Sequence, residues 1–73
     1  MPLSIHHTED QLAAAAGQGN HTAAVRCILN HLLSRGHRPN LRDCIDLYRI
    51  YQKDPGAGTA CIDTWKPATP QHD

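Results

Sequence analysis

No phenylalanine occurs in this chain, and Trp65, Tyr48 and Tyr51 are its only aromatic side chains. In 73 residues that leaves a thin core. A core of this size seldom supplies more than ~3–5 kcal/mol without disulfides, metal or a partner. The first expectation is therefore self-association, as a homodimer, or life bound to a partner. Net charge is missing as well: seven basic residues balance seven acidic ones. The molecule as a whole is thus not steered toward nucleic acid or membrane. No apolar run approaches the ~20 residues of a membrane span. PLSIHH at the N-terminus has neither the charged nor the apolar region of a secretory leader. An even cysteine count is also absent. Cys27, Cys44 and Cys61 cannot all pair within one chain, which fits free thiols in a reducing, cytoplasmic compartment.

Chemistry-bearing motifs are equally scarce. There is no C-x-x-C and no glycine-rich phosphate loop, so no cofactor is expected. The nearest approach to a metal or nucleophile site is Cys27 with His31, four apart on one helical face. Zinc would need further ligands, such as His21, His37 or Cys44. The favoured reading keeps Cys27 as a small hydrophobe at the border of the core and His31 at the solvent edge, with no metal. As a catalytic dyad the same pair lacks an evident oxyanion donor. The carboxylate pairs Glu9/Asp10 and Asp43/Asp46 sit where helix N-termini want negative charge. An enzyme is not expected.

What the chain does contain is helical periodicity. Val25, Ile28, Leu29 and Leu32 fall at i, i+3, i+4 and i+7, with Asn20 placed to cap and Gly36 to terminate in the left-handed region. Asn40 with Asp43 makes a capping box for LRDCIDLYRIYQKD. There Leu41, Cys44, Ile45 and Tyr48 form one stripe, and Leu47, Ile50 and Tyr51 an adjoining one. Upstream, T-E-D-Q reads as a capping box led by Thr8, opening an alanine-rich helix whose sizeable apolar anchor is Leu12. The spacing predicts an all-α domain of three helices, near 8–17, 20–36 and 40–53. The domain spans 8–66 after an extended lead-in over 1–7, and a disordered Pro-rich tail covers 67–73. Asp54-Pro55-Gly56 is a stop, and GAGTACIDTW after it is either strand-like or a last helical turn.

AAGQGN, followed later by RGHRPNLRD, resembles the inner-loop and finger-loop phrases of an ankyrin repeat. The likeness covers about one repeat; the T-P-L-H opening is missing and no second repeat follows. Repeats need neighbours to bury their faces, so the likeness is read as shared helix–loop–helix chemistry.

Function is then expected to be non-catalytic: a small adaptor or inhibitor, of the kind phages and plasmids make, that occupies another protein's surface. Arginine and aromatic residues dominate binding hot spots, which nominates Arg35, Arg38 and Arg42 at one corner and Tyr51 and Trp65 near the C-terminal end. Arginine there suits an acidic patch on a protein partner. The dimer contact is expected on Leu47, Ile50 and Tyr51 with Cys61–Trp65. The alternative is a helix-turn-helix-like DNA-binding regulator with Leu41–Lys53 as recognition helix. Asp43 and Asp46 on that helix oppose phosphate and make nucleic acid the less favoured partner.

Overall fold

Left-handed backbone at Gly19 (φ 71°) and Gly36 (φ 85°) ends the first two helices of the chain. The computed structural model describes residues 4–66. These form α1 Ile5–Gly17, α2 His21–Ser34, α3 Leu41–Lys53 and α4 Pro55–Asp63, an all-α domain with no strand among the described residues. Both glycine turns are Schellman motifs. Asn20 N donates to Ala15 O at 2.9 Å and Gly19 N to Ala16 O at 3.0 Å; His37 N donates to Leu32 O at 3.0 Å and Gly36 N to Leu33 O at 3.0 Å.

Caps fix the helix starts. Asn20 Oδ1 accepts from Ala23 N at 3.2 Å and opens α2. The expected box on α3 is complete: Asp43 N donates to Asn40 Oδ1 at 2.8 Å, and Asn40 N to Asp43 Oδ2 at 3.2 Å. The first helix departs from expectation. Ser4, not Thr8, is its N-cap, its Oγ accepting from His7 N at 3.1 Å. Starting at Ile5 turns the expected lead-in over 5–7 into helix. It also adds an apolar residue to a face that otherwise rests on Leu12 and Ala15. Thr8 lies one turn inside, buried, with its hydroxyl spent on another helix.

The second departure is α4. Asp54 ends α3 and caps the next helix, Oδ1 accepting from Ala57 N at 3.2 Å, with Pro55 in the first turn where its missing N–H costs nothing. GAGTACIDTW is thus mostly helix, not strand. Gly58 explains how it packs: a Cβ there would sit 2.6 Å from Tyr51 Cβ and from Tyr51 N. Only a glycine lets the two backbones come so close.

α1 packs along α2, α3 along α4, and α2 joins α3 to bring the two hairpins together; α1 also touches α4. All four helices contribute to one core of Leu12, Ala15, Ala24, Ile28, Leu32, Cys44, Leu47, Tyr48, Tyr51 and Ile62. On α2 the buried face is Ala24, Ile28, His31 and Leu32, turned about one residue from the aliphatic stripe, so Val25 and Leu29 are half-buried. That turn carries His31 to 0 % exposure, where the sequence suggested a solvent-edge residue. The tail predicted over 67–73 lies outside the described residues.

Candidate protein-binding surface

His31 and Cys27 share a helix but not a bond. His31 Nδ1 lies 2.8 Å from Thr8 Oγ1 inside the core, and its Nε2 is buried with no hydrogen-bond partner among the described residues. Burial holds the imidazole below its usual value of 6.5, with nearby Arg35 adding to the shift and Asp63 opposing it. The Cys27 thiol is half-buried, and desolvation raises its pKa, opposite to what a nucleophile needs. Cys44 is fully buried and likewise raised, by desolvation and then by Asp43. All three thiols are free. Among the described residues no three His, Cys, Asp or Glu side chains converge as metal ligands.

The arginine corner is divided. Arg35 Nη2 binds Asp63 Oδ1 at 3.0 Å, tying the end of α2 to the end of α4. Arg38 and Arg42 stay exposed. His37, beside them, meets Trp65 edge to face, ring centroids 5.4 Å apart. Trp65 is half-buried against the core. Tyr51 is 7 % exposed and does not offer the contact face the sequence suggested. Neither does Leu47, at 5 %. Both lie in the core, and Tyr51 is pressed by α4 at Gly58, an element that the sequence pattern did not reveal. Burial raises the Tyr51 phenol above its usual range, with smaller contributions from Glu9 and Tyr48.

A different surface is open. Between α2 and α3 runs a groove of about 480 Å³ whose floor is Val25, Ile45 and Tyr48, with Leu41 at its rim and Arg26 and Arg49 on its walls. Tyr48 closes its base: the ring is buried and the hydroxyl lies 2.6 Å from His21 Nδ1. Leu41, on the first turn of α3, is 64 % exposed. The groove continues around α3 past Arg42 and Asp46. Sequence reasoning put Leu41 and Ile45 on an apolar stripe of α3 and did not nominate Arg26 or Arg49 as contacts to a protein partner. The signal available was the width of the apolar arc on α3: two adjoining stripes are more than two helical neighbours can cover. Leu41 and half-buried Ile45 are left over on the edge toward α2, and Ile50 stays exposed on the other stripe.

No helix among the described residues is long and apolar enough to cross a membrane. No protein-family profile, curated protein or solved structure matches it.

Proposed function

We propose that this protein is a small non-catalytic modulator that works by binding another protein's surface, with the groove between α2 and α3 as its contact. The observation that carries the reading is Leu41: a leucine 64 % exposed, at the rim of an apolar groove walled by arginines. Exposed leucine alone is ordinary, but an apolar floor with cationic rims has the anatomy of an interface core and its polar border. Arg42 extends the same basic surface, Arg38 stays exposed nearby in sequence, and Arg35 is engaged by Asp63. A reducing, cytoplasmic setting suits three free thiols, two of them partly accessible.

Of the expected dimer face, Leu47 and Tyr51 lie in the core, while Ile50 is 39 % exposed and stays open to a second copy. The second reading is DNA binding through α3, which rests on Arg42 and Arg49, both exposed. Asp46 between them weakens it.

The deciding experiment is affinity capture from source-cell lysate, with and without nuclease, using wild type and a Leu41→Ser/Arg26→Glu/Arg49→Glu variant. A nuclease-resistant protein partner that the variant loses supports the proposal. Direct duplex binding with a steep salt dependence transfers the case to DNA.

A further inference from the structure

We infer that the groove between α2 and α3 docks an amphipathic helix of about three turns whose apolar stripe is flanked by carboxylates. This rests on the protein-binding reading above and names the chemistry of the partner. The length follows from the lining: the groove follows α3 from Leu41 to Gln52, roughly 16 Å at the α-helical rise. Two neighbouring helices with an apolar trough between them are a seat for a third helix packed ridge into groove. The strand-addition mode has no sheet edge to use among the described residues.

Charge selects the partner's flanks. Arg26 stands on the α2 wall and Arg49 on the α3 wall, both exposed. The ion pairs among the described residues are His6–Glu9 and Arg35–Asp63, so neither wall cation is neutralised by them. Arg42 adds a third guanidinium where the groove rounds α3, against one carboxylate, Asp46. An occupant with acidic residues on both sides of its apolar stripe satisfies these guanidiniums as it fills the trough. A second copy does so poorly. An isologous contact through this face sets the three arginines of each copy against the same three of the other, with one aspartate apiece to offset them. Duplex DNA would satisfy the arginines but place Leu41 and Ile45 against phosphate.

The test uses two fluorescein-labelled 14-residue helical peptides with one shared leucine stripe at i, i+3, i+4 and i+7. One carries glutamates and the other lysines at the flanking positions. Anisotropy titrations with the full chain should favour the glutamate peptide by about tenfold, the worth of two exposed ion pairs. Arg26→Glu/Arg49→Glu should reverse the preference. Leu41→Ser should weaken the glutamate peptide by about tenfold or more through lost apolar contact. Arg35→Ala should leave both affinities unchanged. Thermal melts confirm that the variants fold, which their exposed positions favour. Equal affinity for the two peptides, or no saturable binding of either, overturns the inference. A dimer in sedimentation that Leu41→Ser abolishes also overturns it, because the second copy is then the occupant. Lysate capture of a protein that survives all three groove substitutions removes the groove but keeps the protein-binding reading, so the two failures are separable.

Discussion

Thr8 Oγ1 and His31 Nδ1 meet at 2.8 Å inside the core, joining α1 to α2 through two polar side chains that are both nearly inaccessible to water. A buried hydroxyl and imidazole cost free energy unless they find each other. Thr8→Val should therefore lower stability by roughly 1–3 kcal/mol despite being nearly isosteric, because it leaves both ring nitrogens unpaired. Urea unfolding of the two proteins measures it. An unchanged midpoint would mean that the bond contributes nothing.

Burial of His31 also sets a pH dependence. The folded protein holds His31 below 6.5, and the unfolded chain returns it to that value. The unfolded state then binds the proton first as pH falls. The stability tied to neutral His31 is complete above 6.5 and is lost as pH drops from there toward the folded-state value. Two-dimensional NMR of the imidazole protons should find His31 titrating below 6.5. Titration at or above that value would contradict the burial argument.

Gly58 predicts a sharp contrast within one helix. Gly58→Ala pushes a methyl against the backbone of Tyr51 and should cost about 1–3 kcal/mol or more, by separating α4 from α3. Gly56→Ala meets Asp54 Oδ1 at 3.5 Å, an ordinary contact, and should be neutral or stabilising by up to ~1 kcal/mol through helix propensity. Thermal or urea melts of the two variants decide it. Equal effects would show that the close approach is not tight.

Asn40→Ala removes the side-chain half of the box at the start of α3 and should cost about 1 kcal/mol. Because Leu41 is the next residue, fraying of that turn should also weaken whatever binds the groove. A melt and a binding titration on one sample test both. Lost stability with full binding would detach the cap from the site.

Arg35→Ala breaks a partly exposed ion pair with Asp63, and such pairs are worth ~1 kcal/mol or less. Stability should fall slightly, less in high salt, and a loss of several kcal/mol would contradict this account.

The parts legible in the sequence are those decided within a few residues of chain. Asn20, Gly36 and Asn40 with Asp43 are local hydrogen-bonding devices, and they mark α2 and α3 as the periodicity does. The start of α1 was not decided locally. Ser4 and Thr8 are both competent caps; Ser4 takes the role, and Thr8 pairs instead with His31, twenty-three residues away. α4 was hidden for the opposite reason: Gly56 and Gly58 weaken its intrinsic propensity, and Gly58 is present because Tyr51 lies against it. The site followed the same division. That arginines gather near residues 26–42 is visible in the sequence, but Arg35 turning to Asp63 depends on where α4 lies, and Leu41 lining an open groove depends on how α3 meets α2.

The pairing of α1 with α2 and α3 with α4 has a consequence for how the chain assembles. Each hairpin closes over a short connection, so most contacts form between segments near in sequence, which favours rapid folding. What couples the halves is the junction of α2 with α3, pinned by His21 and Tyr48. A guest helix lying along that junction bridges both halves and raises the free energy needed to part them. Amide hydrogen exchange should then slow across α1 and α4, which the guest never touches, as much as across the two helices that hold it. Slowing confined to α2 and α3 would show that the halves open independently.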